Sequence, residues 1–360
     1  MFTKNNTMNE ILNTEPVGRA AGNLFPTCFM ARVPVEHRDH TMAQIEKEET
    51  MEWGAPFLAD AFLECANLIK ETAETKKFKY ISLWGENDDV SAGDKMSHWK
   101  NGIPDADLNT EEGVWLFTGD PAVDNEAFAH TAGSDSIPPY ESVAVSKEKR
   151  NTSGLKPAVI LCPGGGYEHH SPREGEAVAV KLLSLGMNAA ILRYSLIPDE
   201  FPCALYEAAY AVRYLREHAK EWDCDPDKII IAGFSAGGHV AASLGTMWNS
   251  KELEGFVKEY LHTEPEMIRP DGMLLGYPVI TSGEKAHRKS FERLLGTRYE
   301  QLLESVSLEE RVTKDTPQTF LWHTVTDGAV PVENSMLFAQ ALQKEHIGFE
   351  LHLFPHGNHG

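Results

Sequence analysis

Ile229-Ile230-Ile231-Ala232-Gly233-Phe234-Ser235-Ala236-Gly237-Gly238 reads as a buried strand, a tight turn and the start of a helix. Four consecutive apolar residues without polar alternation fit a strand covered on both faces. Glycines two before and two after Ser235 fit a turn so sharp that a Cβ at either position would strike the neighbouring strand or helix. The helix that follows aims the positive end of its dipole at Ser235. A Gly-x-Ser-x-Gly string occurs by chance in loops, but here a strand precedes it and a helix-forming run follows. That context makes Ser235 a candidate nucleophile.

The same grammar extends in both directions from this turn. Apolar runs of strand length fall at 158–162, 188–193, 228–232, 272–277, 318–323 and 349–354, separated by longer segments of helical period. Pro202 opens a helix whose Leu205, Ala209, Val212, Tyr214 and Leu215 share a broad apolar face. Residues 237–247 form the small-residue helix after the serine, and 332–344 places Leu337, Phe338, Ala341 and Leu342 on one side. Strands alternating with helices predict an α/β protein with a mainly parallel sheet flanked by helices.

Upstream of residue 155 the pattern weakens. Residues 50–76 read as helical, while 88–118 and 120–139 are rich in Gly, Pro, Asp and Asn and read as loops. Residues 137–145 are expected to add antiparallel edge strands. The chain is therefore divided into an N-terminal extension, 1–110, a candidate lid or oligomer contact, and a catalytic domain, 111–360, that ends just after its candidate histidine.

With 33 Lys+Arg against 54 Asp+Glu, a formal charge of −21, the chain would repel a phosphate backbone and an anionic membrane surface, so neither nucleic acid nor membrane is an expected partner. Neutral esters are unaffected by this field. Cys28, Cys65, Cys162, Cys203 and Cys224 lack the short paired spacing of a zinc or redox site and read as reduced thiols. Residues 1–15 carry no apolar signal core, and no run approaches the roughly 20 apolar residues of a membrane span, which gives a cytoplasmic expectation.

A second motif, Leu161-Cys162-Pro163-Gly164-Gly165-Gly166-Tyr167, ends the first strong strand. Acyl transfer passes through a tetrahedral oxyanion that needs preorganised N–H donors, and glycines let the backbone turn its amides toward it. Gly165, Gly166 and Ala236 are the candidate donors. The run lacks the Gly-Lys-[Ser/Thr] ending of a P-loop and the Gly-x-Gly-x-x-Gly spacing of a dinucleotide site, so no cofactor is expected.

In an α/β-hydrolase the triad runs serine, acid, histidine. After Ser235, the strand around Thr319-Phe320-Leu321-Trp322-His323 leads into a turn carrying Asp327, and the last strand ends in Pro355-His356-Gly357-Asn358-His359-Gly360. Asp327 is the candidate acid. His359 is preferred over His356 as base because it lies further from the strand in a Gly-rich loop. A lone aspartate in a turn is more often a turn former, and His323 at a strand end is more often a packing or supporting residue. The weight rests on three matches in the required order.

From Lys156 onward the chain resembles bacterial acetyl-xylan-esterase-like and sugar-hydrolase esterases of the α/β-hydrolase fold. The resemblance is carried by Cys162-Pro-Gly-Gly-Gly-Tyr167, Arg173-Glu174, Arg193-Tyr194-Ser195, Gly233-Phe-Ser-Ala-Gly-Gly-His239, Leu321-Trp-His-Thr324 with Asp327, Val330-Pro331 and Glu350-Leu-His-Leu-Phe354. It implies a cofactor-free and metal-free serine esterase that deacetylates small acyl esters of sugars or xylo-oligosaccharides. Tyr167, His169, His170, Arg173 and Tyr194 become candidate pocket residues. Two departures stand out: Pro163 replaces the histidine of lipase-type relatives, and relatives continue beyond the His-Gly step that ends this sequence. A peptidase or amidase of the same fold, and a weakly catalytic binding protein on it, are the competing readings; a homo-oligomer is compatible with each.

Overall fold

The computed structural model describes residues 1–14, 17, 37–48, 59–74, 78–82, 113–117 and 154–360. In chain order these form α1 (Met8–Leu12), α2 (Met42–Glu48), α3 (Ala59–Glu74), β1 (Phe78–Ser82), β2 (Gly113–Phe117), β3 (Lys156–Cys162), α4 (Glu176–Ser184) and β4 (Asn188–Arg193). Then follow α5 (Cys203–Glu217), β5 (Cys224–Phe234), α6 (Ala236–Met247), α7 (Lys251–Glu259), β6 (Gly272–Gly276), α8 (Arg288–Leu295), β7 (Thr319–Thr324), α9 (Glu333–Lys344) and β8 (Phe349–Phe354). Among the described residues no helix is long and apolar enough to cross a membrane.

The strands join in the order β1-β2-β4-β3-β5-β6-β7-β8. From β4 to β8 every pairing is parallel, and the central strands β3, β4 and β5, covered on both faces, are the ones legible as apolar runs. Strand period two divides their side chains between two cores. Ala158, Ile160, Ile229, Ile231, Leu275 and Leu321 face the side covered by α5, α6 and α9. Val159, Leu161, Ala189, Ile191, Ala232 and Phe234 face the other, where Ala179 and Leu183 of α4 meet Met8, Ile11, Met42, Ile45 and Phe62 of the N-terminal helices. At roughly 1.5–3 kcal/mol for each fully buried aliphatic side chain, this packing is what holds α1 to α3 to the sheet.

Coverage thins toward β8. Phe320, Phe349, Leu353 and Phe354 are between 37% and 48% exposed, so the last two strands are less buried than their composition leads one to expect.

An antiparallel portion of the sheet is formed by residues expected to be a loop. Residues 113–117, read as part of a loop, form β2, which pairs antiparallel with both β1 and β4. Five residues, Gly-Val-Trp-Leu-Phe, are too few to show a period inside Gly- and Asn-rich surroundings, and an edge-side strand does not need a long run. The edge strands expected at 137–145 and the loop at 120–139 fall outside the described residues.

Sheet order also fixes where chemistry can sit. The chain leaves β3 on one side for β4 and on the other for β5, so their carboxyl ends flank a crevice at the point where the order reverses. Cys162 is in register with Gly233, and the glycine run and Ser235 therefore emerge side by side. Thr324 is in register with Phe354, which brings the turn after β7 beside the loop after β8.

Candidate active site

Ser235 has φ 54° and ψ −122°, a left-handed conformation that costs a β-carbon-bearing residue energy and persists only where the surroundings enforce it. They do so by close packing. A Cβ on Gly233 would lie 2.1 Å from the carbonyl oxygen of Gly237, and one on Gly237 would lie 2.0 Å from that of Cys162 and 2.4 Å from that of Pro163. The turn is pinned further by Ser235 N–H donating to Gly276 O at 3.1 Å and Ser235 O accepting from Val279 N at 2.9 Å.

His359 Nε2 lies 2.8 Å from Ser235 Oγ, and His359 Nδ1 lies 2.7 Å from Asp327 Oδ2. Asp327 Oδ1 accepts from Ala329 N at 2.8 Å and Val330 N at 2.9 Å, and its side chain is fully buried. Burial alone would raise the Asp327 pKa, but the hydrogen bonds from His323, His359 and the two backbone amides outweigh it and hold the carboxyl well below the usual range. An ionised Asp327 fixes the proton of His359 on Nδ1 and leaves Nε2 free to accept from the serine hydroxyl. His356, by contrast, is exposed in the loop before it.

The glycine run packs directly on the serine. A Cβ on Gly164 would lie 2.9 Å from Ser235 Cβ, and one on Gly165, at φ 128°, would lie 1.9 Å from the His169 carbonyl oxygen. Among the described residues, the N–H groups of Gly165, Gly166 and Ala236 donate to no acceptor, which keeps all three as candidate donors. Ala236 N–H also begins α6, adding the helix dipole.

The five expected pocket residues separate into two groups. Tyr167 and Tyr194 belong to the core: the Tyr167 hydroxyl meets His239 Nδ1 at 2.9 Å and the Tyr194 hydroxyl donates to Pro163 O at 2.6 Å. His170 stacks edge-on against Tyr194, and burial pushes its pKa down to about 3. Arg173 is exposed beside Gly360, and His169 folds back over Gly165. Across from the glycine run, Arg293 of α8 donates to Gly166 O at 3.2 Å and pairs with Glu168 at 2.6 Å, while His287 meets Ser290 Oγ at 2.9 Å. The wall beside the candidate oxyanion site is therefore polar.

Sequence reasoning missed three residues that shape the site. His239 is buried as a neutral ring between Tyr167 and Val306 O, at 3.0 Å, with its pKa pushed down to about 4 by burial. Glu174, 6% exposed, accepts from Gly164 N at 2.7 Å and from the Tyr277 hydroxyl at 2.7 Å. Tyr277 in turn sets its ring edge-on to His359, with centroids 4.9 Å apart. Glu174 was visible only as part of the Arg173-Glu174 motif, and no local spacing ties it to a tyrosine more than a hundred residues later. Among the described residues no group of three or more His, Cys, Asp or Glu side chains is arranged to hold a metal ion.

The family model described as BD-FAE matches residues 145–342. The chain is 39% identical over 215 residues to an endo-1,4-beta-xylanase B of Butyrivibrio fibrisolvens, a match covering 58% of this chain and 33% of that protein. It is 28% identical over 217 residues to an acetylxylan esterase of Xylanibacter ruminicola, covering 58% and 42%. The chain thus spans less than half the length of either curated relative. Among solved structures, an acetyl ester-xyloside bifunctional hydrolase from Caldicellulosiruptor lactoaceticus aligns with a TM-score of 0.56 at 35% identity over 78% of this chain and 87% of that one. A carboxylesterase from Lactobacillus plantarum aligns with a TM-score of 0.52 at 26% identity over 69% and 80%.

Proposed function

The chain belongs to the BD-FAE family, and from that premise we propose that it is a serine carboxylester hydrolase acting on acetyl or other small acyl esters of sugars or xylo-oligosaccharides. Ser235 Oγ attacks the ester carbonyl while His359 Nε2 takes its proton. Asp327 holds the imidazole tautomer and stabilises the cation that forms. The tetrahedral oxyanion is met by the N–H groups of Gly165, Gly166 and Ala236. His359 then protonates the leaving alcohol, and the acyl-enzyme is released by a water that His359 activates in the same way.

The observation that carries this reading is the unbroken line from Asp327 Oδ2 through His359 to Ser235 Oγ, at 2.7 Å and 2.8 Å. A sugar as the alcohol draws support from two directions. The relatives named above include an acetylxylan esterase and an acetyl ester-xyloside hydrolase. The wall formed by Arg293, Glu168, His287 and Ser290 offers donors and acceptors suited to hydroxyl groups rather than to an alkyl chain.

The test is hydrolysis of p-nitrophenyl acetate by this protein and its Ser235→Ala variant, beside acetate release from acetylated xylo-oligosaccharide. Serine-dependent turnover of both supports the full reading. Turnover of the small ester alone keeps the esterase and discards the sugar, and a folded protein that cleaves neither refutes both.

A further inference from the structure

We infer that Glu174 is a positioning residue for the ester cleavage proposed above, a reading on which this inference rests: one buried carboxylate fixes the oxyanion donors and the base together. Glu174 ends a short 3-10 turn, Pro172–Glu174, that follows the glycine run. Its Oε2 accepts from Gly164 N, and Gly164 O accepts from Ser171 N at 2.8 Å, so the residue before Gly165 and Gly166, two of the three candidate donors, is held at both its polar groups. Its Oε1 accepts from the Tyr277 hydroxyl. The Tyr277 ring is wedged edge-on between Trp322, at 4.7 Å, and His359, at 4.9 Å, and its amide donates to Trp322 O at 2.8 Å.

Glu174 does more than pack, for two reasons. First, a buried carboxylate is ordinarily paired with a cation, yet among the described residues Glu174 forms no ion pair and spends both oxygens on the two halves of the site. Second, a negative charge beside a developing oxyanion opposes it electrostatically, so a carboxylate here must return more through geometry than it costs through charge. Oxyanion donors work only when aimed at the position the oxygen reaches in the transition state, and Gly165 and Gly166 follow directly from the clamped Gly164.

The test compares the full chain with its Glu174→Ala, Glu174→Gln and Tyr277→Phe variants. Active serines are counted with a fluorophosphonate, kcat and KM are measured on p-nitrophenyl acetate, and inhibition is measured with a trifluoromethyl ketone, whose hemiketal oxyanion occupies the same site. Glu174→Ala is expected to lower kcat per titrated serine about 10- to 100-fold, less than removing a whole donor, with KM kept and ketone affinity falling in parallel. Glu174→Gln can accept from Gly164 and donate to the Tyr277 oxygen, so it should recover most of that loss. Tyr277→Phe, which keeps the Gly164 bond, should lose less than Glu174→Ala but by the same kcat-only pattern, and it decides the matter if Glu174→Ala does not fold. Wild-type kcat per titrated serine in Tyr277→Phe and Glu174→Ala, with only yield or melting temperature reduced, overturns the inference. A wild type that neither labels nor turns over overturns the esterase reading and this inference with it.

Discussion

His323 Nε2 lies 3.3 Å from Asp327 Oδ2, the same oxygen that meets His359 Nδ1 at 2.7 Å. His323 is wholly buried, with Nδ1 at 2.8 Å from Ser335 Oγ and Nε2 also 3.0 Å from Val330 O. The carboxylate is therefore gripped from the strand side by His323 and from the turn by two amides. Only the face toward His359 is left open, so the carboxylate cannot rotate away from that imidazole without breaking several buried bonds.

Asp327→Asn should keep the fold and remove the tautomer control. The amide nitrogen cannot accept from His359 Nδ1–H, so the ring is no longer held with Nε2 free. We expect kcat on p-nitrophenyl acetate to fall on the order of 10³- to 10⁴-fold with little change in KM, measured beside Ser235→Ala as the floor. A loss below tenfold would mean that Asp327 does not orient the base.

The same carboxyl links stability to acid. Its folded pKa is depressed below the ordinary aspartate value of 3.8, so it contributes stability that is fully present above that value and is lost as pH falls toward the folded one. The stability gap between wild type and Asp327→Asn in urea unfolding should be full at pH 6 and should close as pH is lowered below about 4. A gap that stays constant to pH 3 would contradict the depressed pKa.

The legibility of this fold and site follows from the range of the interactions. Parallel strands such as Asn188–Arg193 and Phe349–Phe354 stand out because each is a short segment dense in apolar residues and bounded by turns, continuous in Ala189–Leu192 and alternating with Glu350 and His352 in the last strand, a signal contained within six residues. Ser235 is equally local, since the glycines its turn needs sit two residues away on either side. Asp327 and His359 could be ranked because chain order in this fold limits where an acid and a base can emerge. Gly113–Phe117 was hidden because so short an antiparallel strand takes its identity from the partners on either side of it, not from its own period. Glu174, His239 and Tyr277 were hidden for a related reason: each acts through a partner brought close only by the sheet order, such as His239 with Val306 O, and their own neighbours carry no trace of it.

His239 should make the protein sensitive to mild acid. Its folded pKa is pushed from 6.5 to about 4 by burial, so between those values the unfolded chain takes up a proton that the folded chain refuses. Stability then falls as pH drops from about 6.5 toward 4, and above that window the contribution is constant. His239→Gln removes this dependence. The variant should be less stable at pH 7, where the Tyr167 and Val306 bonds are disturbed, but its deficit should narrow by about 2 kcal/mol on going to pH 5. Parallel stability curves for the two proteins would show that the ring titrates normally.

Two glycines separate steric necessity from mere tolerance. At Gly237 an added methyl would fall 2.0 Å from Cys162 O and 2.4 Å from Pro163 O, both backbone atoms held by β3 and the glycine run, so neither can yield without moving the candidate oxyanion donors. At Gly328, between Asp327 and the amide of Ala329 that it binds, an added methyl meets nothing within 4 Å. Gly237→Ala should therefore cost about 3 kcal/mol or more in urea unfolding and lose ester turnover even where it folds. Gly328→Ala should stay within about 0.5 kcal/mol of wild type and keep its kcat, because the turn that carries Asp327 has room on that side. Equal effects at the two positions would mean that the contact between the serine turn and the glycine run is not what holds the site, and the tight registry of Cys162 with Gly233 would then have no catalytic consequence.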